Sequence, residues 1–226
     1  QRDVSASVLF VGAIAVKPYA IVFLPWLAFV RRRRAMIASV AGLAALLALP
    51  VVVYGPTQTV TLHQEWWTTV SESTAPNLTN NDNVSVAGML AKWLGTGSAA
   101  VKLTLLLNGL LVVVAGMVIL RGRGIERREV LEGAFLLTLI PLLSPQGWDY
   151  VFLIATPAIA LLADYDRDLP GGLRWVTWLA IFTIGLSLYD LLGRERYAAF
   201  MGWSVITVCF LLLLASLAVL RLRRAA

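Results

Sequence analysis

The chain has 226 residues, of which 59% are hydrophobic and only 14% charged, and its formal net charge is +6. That is far more apolar than a soluble domain. It excludes a water-soluble globular fold, and it recasts the basic excess: the arginines punctuate apolar runs instead of forming a nucleic-acid-binding face, so no nucleic acid is expected as partner. The lone cysteine, Cys209, lies in an apolar run and provides neither a disulfide nor a metal site.

Spanning about 30 Å of hydrocarbon takes roughly 20 apolar residues as helix, because lipid satisfies no free backbone amide. The first such stretch, residues 4–30, is interrupted by Lys17 and Pro18 and ends at Arg31, Arg32, Arg33 and Arg34, which mark a cytoplasmic end. The N-terminus carries no signal-peptide pattern and reads as the later part of a longer protein. A second stretch, 35–54, contains Pro50, predicted to kink it near its outer end.

Residues 55–97 form the one long polar segment and are predicted to be an outer loop. Within it Leu62, Trp66 and Val70 recur every four residues, the spacing of a short helix lying in the membrane interface. Trp66 and Trp67 have two readings, anchors at the headgroup layer or stacking surfaces for a sugar ring. Asn77-Leu78-Thr79 and Asn83-Val84-Ser85 fit the glycosylation acceptor pattern, which supports an outer location only.

Further stretches follow at 99–120, 130–143, 150–163 and 173–192, and a last one ends at Arg221, Arg223 and Arg224. Arg121, Arg123, Arg127 and Arg128 form a second basic connection. Seven spans with arginine clusters on the cytoplasmic face and 55–97 outside account for most of the basic residues. The expected architecture is all-α: one polytopic transmembrane helical domain over residues 1–226.

Lys17 is the most informative single residue, since a lysine inside an apolar span is costly unless it pairs, snorkels or faces a hydrated cavity. Beside a proline that frees a backbone carbonyl, its ammonium suits a phosphate; the alternative is a structural pair with another helix. Asp149, between Trp148 and Tyr150, combines a carboxylate with aromatic faces, which suits sugar hydroxyls and equally suits a helix cap. Glu65, Glu72 and Asp82 have no metal-site spacing, and His63, the only histidine, rules out a histidine cluster. No metal or cofactor is expected. Asp164, Asp166 and Asp168 alternate, but Pro170 and the missing distal glutamate break the calcium-loop pattern, leaving a solvated connection. Phosphate loops, nucleophile elbows and zinc signatures are lacking.

The order of features is distinctive: Lys17-Pro18 before an arginine run, a long loop closing on Asn83-Val84-Ser85-Val86-Ala87-Gly88, then Ser144-Pro145 with Trp148-Asp149-Tyr150 opening a segment that contains Pro157. Together they resemble the later half of glycosyltransferase family 87. The resemblance implies a GT-C-type membrane enzyme in the cytoplasmic (inner) membrane, a hexosyltransferase that moves a sugar, often mannose, from a polyprenyl-phosphate carrier to a glycolipid or glycan acceptor outside. It also implies that the catalytic aspartate lies upstream of Gln1, so no residue here fills that position. Asp149 and Tyr150 stand where some mannosyltransferases of the family carry histidines, which bears on the sugar. Lys17 is then expected to bind the donor phosphate, and Trp66, Trp67, Asn81, Asp82, Asn83, Asp149 and Tyr150 to line the substrate site. Two other classes fit the same composition: a lipid or solute transporter or flippase using Lys17, Asn108, Asp149 and Asp190, and a noncatalytic scaffold.

Overall fold

The computed structural model describes residues 2–30, 32–121 and 127–223. Arg31, Arg123 and Arg224, assigned above to the basic clusters, lie outside the described residues. The described chain is helical throughout, and its only strand-like feature is an isolated antiparallel bridge between Asn83 and Trp148. Two compact units are formed, Gln1–Ser73 and Thr74–Ala226.

In the first unit α1 (Arg2–Val16) packs along α3 (Arg33–Ala48). Buried Ser7 donates to the Ala35 carbonyl at 3.0 Å and so satisfies its hydroxyl. Pro18 not only disturbs the first stretch but ends α1: its ring disfavours helical geometry at the preceding residue, and Lys17 is extended at φ −147°, ψ 124°. A 3-10 turn (Pro18–Val22) and the short α2 (Phe23–Phe29) follow. The chain then bends by 85° between α3 and α4 (Val51–Asn77). Pro50 lies at this break, and Gly55, at φ 76°, interrupts α4 once more.

The polar stretch that reads as a loop with one short helix is thus helical as far as Asn77. Its hydroxyl residues do not stop the helix, because Thr61 and Thr69 each bond to the carbonyl four residues back and Ser73 to the one three back.

The second unit contains α5 (Val86–Leu94), α6 (Ser98–Leu120), α7 (Arg128–Leu143), a 3-10 segment (Asp149–Ala155), α8 (Thr156–Asp164), α9 (Gly171–Gly185), α10 (Tyr189–Leu192), α11 (Arg194–Gly202) and α12 (Val205–Arg223). Its core is the seam between α7 and α12, where Leu131, Phe135 and Leu139 are buried along with Phe210, Leu213 and Leu217. Phe152 stacks on Phe210 with ring centroids 3.5 Å apart. Thr177 and Ser216 share a 2.7 Å hydrogen bond that ties α9 to α12.

Seven spans are not formed. Among the described residues only α6 and α12 are long and apolar enough to cross a bilayer, with a third span if the bent pair α3 and α4 counts as one. The reason is length. Helix α7 has 16 residues and α9 has 15, which at about 1.5 Å per residue falls short of about 30 Å. The stretch 4–30 breaks at Lys17-Pro18, and 150–163 divides into a 3-10 segment and the nine-residue α8. Apolar composition is present in all these segments, but hydrogen-bonded continuity is not.

Arg221 also departs from expectation. Instead of marking a solvated helix end, it is fully buried and donates from Nη2 to Glu132 Oε1 at 2.8 Å. The same carboxylate oxygen accepts from Arg128 Nε at 2.7 Å, and Arg128 Nη2 reaches the Ile119 carbonyl. A buried charge is tolerable only with such partners.

Candidate functional site

The second unit builds its polar site from the asparagine-rich turn. Asn83 is 1% exposed. Its amide nitrogen donates to the Asn77 and Pro145 carbonyls, each at 2.9 Å, and its side-chain oxygen accepts from the Ser85 amide at 3.1 Å. Ser85 in turn caps α5, its hydroxyl accepting from the Gly88 amide at 2.9 Å. Gly88 is required by packing, since a β-carbon there would lie 2.8 Å from the Asn83 amide group.

The turn is joined to residues 144–149 by backbone pairing: the Val84 amide donates to the Gly147 carbonyl at 2.7 Å and the Asp149 amide to the Asp82 carbonyl at 3.2 Å. A β-carbon on Gly147 would collide with the Pro141 carbonyl. The Asn83-Val84-Ser85 and Ser144-Pro145 motifs, some sixty residues apart in sequence, are therefore two halves of one structure.

This frame presents a cleft of about 620 Å³. Thr79, Asn80, Asn81 and Asp82 form one wall, and Tyr189, Arg194, Tyr197 and Ala198 form the other. The Tyr197 hydroxyl donates to Asp149 Oδ2 at 3.3 Å, while Asp149 Oδ1 accepts from the Tyr150 amide. Burial raises the Tyr197 pKa, helped by the charge of Asp149, the hydrogen bond to it and the charge of Asp82. Tyr189 and Tyr197 meet edge to face, 5.5 Å between centroids. A carboxylate, a guanidinium, amides and two phenol rings can together hold the hydroxyls and ring face of a sugar.

Lys92, on the last turn of α5, points back at the turn. Its ammonium donates to the Asn81 and Asn83 carbonyls, both at 2.8 Å, and to the Met201 carbonyl at 3.1 Å. Burial lowers its pKa to about 8, with the charge of Asp82 acting in the opposite direction.

The first unit offers a different surface. An apolar groove of about 520 Å³ is lined by Val16, Pro18, Leu43, Leu47, Leu62, His63 and Trp66 among others, and a second depression of about 680 Å³ includes Trp66, Trp67, His63 and Gln64. His63 Nδ1 lies 2.7 Å from the Thr59 carbonyl. A carbonyl only accepts, so Nδ1 carries the proton and, in the neutral ring, Nε2 is left as acceptor. Lys17 is exposed at the helix break beside Val16 and Pro18, its ammonium 5.7 Å from the centre of the Tyr19 ring.

Of the residues singled out from sequence, Asn81 and Asp82 line the cleft, and Asp149 joins it through Tyr197. Asn83 is the buried bracket behind it, and Tyr150 is 56% exposed. Lys17, Trp66 and Trp67 belong to the first unit. Tyr189, Arg194, Tyr197 and Lys92 were not singled out, because nothing in their spacing shows that the chain returns to residues 79–83 from α5 and α11. Among the described residues no three histidine, cysteine, aspartate or glutamate side chains gather as metal ligands.

The model of glycosyltransferase family 87 matches residues 1–145, well over half of the chain. The chain belongs to glycosyltransferase family 87. The match spans Lys17-Pro18, the turn at Asn83 and Ser144-Pro145, and so includes one wall of the cleft but not the wall formed by Tyr189, Arg194, Tyr197 and Ala198. Membership, with the apolar helices, makes this family 87 protein a membrane glycosyltransferase. No curated protein and no solved structure matches it.

Proposed function

We propose that this family 87 protein is a GT-C-type hexosyltransferase that transfers a sugar, mannose being one candidate, from a polyprenyl phosphate to a glycolipid or glycan acceptor outside the cytoplasmic membrane. The observation that carries this reading is the cleft, where Asn81, Asp82, Arg194 and two tyrosines converge beside Asp149. In this reading the cleft takes the sugar-bearing part of a substrate. Taken by itself, the apolar groove of the first unit suits a lipid chain, with Lys17 near its edge as a cation for a phosphate and Trp66 and Trp67 as apolar walls.

The reaction is a displacement. An acceptor hydroxyl loses its proton to a general base, its oxygen bonds to the anomeric carbon, and the bond from that carbon to the phosphate oxygen breaks, releasing polyprenyl phosphate. Negative charge develops on the leaving phosphate, where an ammonium such as Lys17 is most effective. The base is not assigned to a residue of this chain.

Membranes containing the full-length protein, incubated with radiolabelled polyprenyl-phosphate sugar, are expected to yield labelled glycolipid. Lys17→Ala should lower turnover by about 10²-fold, the usual scale for losing one group that stabilises developing charge. Unchanged transfer would remove Lys17 from the site, and sugar movement without a labelled product would replace the enzyme by a transporter.

A further inference from the structure

Lys92 makes an arrangement that neither family membership nor the displacement chemistry requires. Three backbone carbonyls from two separate parts of the second unit converge on its ammonium: those of Asn81 and Asn83 from the turn, and that of Met201 from the last turn of α11. The first two flank Asp82, so the ammonium fixes the peptide groups on both sides of that residue. The third lies at the C-terminal end of a helix, where the backbone dipole favours a cation.

These parts are also the two walls of the cleft. Thr79, Asn80, Asn81 and Asp82 stand on one side, and α11 supplies Arg194, Tyr197 and Ala198 on the other. The neighbouring contact runs along the same seam, since Trp93 Nε1 donates to the Trp203 carbonyl at 3.3 Å. Beyond α11 the chain turns sharply through Ser204, a buried non-glycine residue at φ 54°. Such backbone persists only where its surroundings hold it. The Met201 carbonyl that receives Lys92 also accepts the Ser204 amide at 3.0 Å. The same carbonyl thus serves the strained turn and the lysine together.

We propose that Lys92 is a positioning residue that sets the separation of the two cleft walls, and through it the placement of Asp82 relative to Tyr197 and Arg194. A lysine suits this task because its ammonium carries three donors on a compact centre, one for each carbonyl. The guanidinium of arginine spreads its donors over a planar fork and cannot meet three convergent oxygens equally. This role rests on reading the cleft as the sugar site, but the wall separation is measurable without any activity.

The test uses the full-length protein in lipid nanodiscs with Cys209→Ser and with spin labels on Thr79→Cys and Ala198→Cys, one exposed position on each wall. With Lys92 present, pulsed electron resonance should give one narrow distance distribution. Lys92→Met should broaden or split it, and Lys92→Arg, which keeps charge and bulk and guards against a misfolded methionine variant, should shift it part-way. In unlabelled protein the acceptor KM of Lys92→Met should rise about tenfold while kcat changes far less, because a displaced wall loses contacts that hold the acceptor equally in the ground and transition states. Distributions as narrow in both variants as with Lys92 would overturn the proposal, as would loss of kcat at constant KM. A distance change in a protein without transferase activity would leave the staple standing and remove the glycosyl-transfer reading.

Discussion

The cleft and the groove are built on opposite principles. Around the cleft, buried polar groups are committed to backbone: Asn83 bridges two carbonyls and an amide, Ser85 caps a helix, and Lys92 bonds three carbonyls. Around the groove and the neighbouring depression the walls are mainly apolar side chains, several of them open, with Trp66 53% and Trp67 66% exposed. Committed polar networks fix geometry because every broken bond leaves a buried group unsatisfied. Apolar walls tolerate movement, since dispersion contacts are weak one by one and insensitive to direction. A site that must discriminate sugar hydroxyls needs the first kind of construction, and one that accommodates a long lipid chain is served by the second.

The largest effect expected within the second unit comes from its most deeply buried charges. Arg221→Met leaves Glu132 without one of its two guanidinium partners and should destabilise the protein by about 3–5 kcal/mol, read as thermal unfolding in detergent. Adding Glu132→Leu should recover most of that loss, since an apolar pair of similar volume needs no charge partner. A double variant no more stable than the single one would show that the pair does more than satisfy itself.

Smaller, and aimed directly at the contrast, is a matched pair of truncations. Asn83→Ala leaves the Ser85 amide and two carbonyls without their partner, and about 2–3 kcal/mol of stability should go with it. Trp66→Ala removes a larger but exposed side chain and should change unfolding by less than about 0.5 kcal/mol while weakening the lipid-linked donor. Equal losses in the two variants would erase the distinction between a committed cleft and an adaptable groove.

The smallest expected effect is a pH slope. Lys92 has a pKa of about 8 in the fold, against 10.5 for the ordinary side chain. Between those values the unfolded chain holds the extra proton, so stability rises with pH across that window and Lys92→Met flattens the slope. Full burial would make the window worth about 3 kcal/mol; Lys92 is only part-buried, and solvent screening brings the expected gain to about 1 kcal/mol. Asp82, Asp149 and Arg194 are the other charged groups around the cleft. Tyr197, with its pKa raised above 10.0, opposes the trend only at the top of the window, where the folded state keeps its proton longer. Unfolding temperatures measured from pH 7 to 10.5 on both proteins would detect the slope.

The helical class, the membrane setting, the family and the prolines at the main breaks were legible in the order of residues. These depend on local physics: apolar composition, the exclusion of helix before Pro18, and the bend at Pro50. The sequence also marked Asn81 and Asp82, which stand in the one long polar stretch, and Asp149, a carboxylate between Trp148 and Tyr150. How many helices can span a membrane emerged only from the folded chain, since an apolar stretch must also run as unbroken helix over its whole length. Tertiary structure alone turned Arg221 from a helix-end marker into a buried partner of Glu132, and Asn83 from a surface amide into an internal bracket. Only the return of α5 and α11 to residues 79–83 brought Lys92, Arg194 and Tyr197 to the cleft, because long-range contacts have no periodicity along the chain from which they could be read.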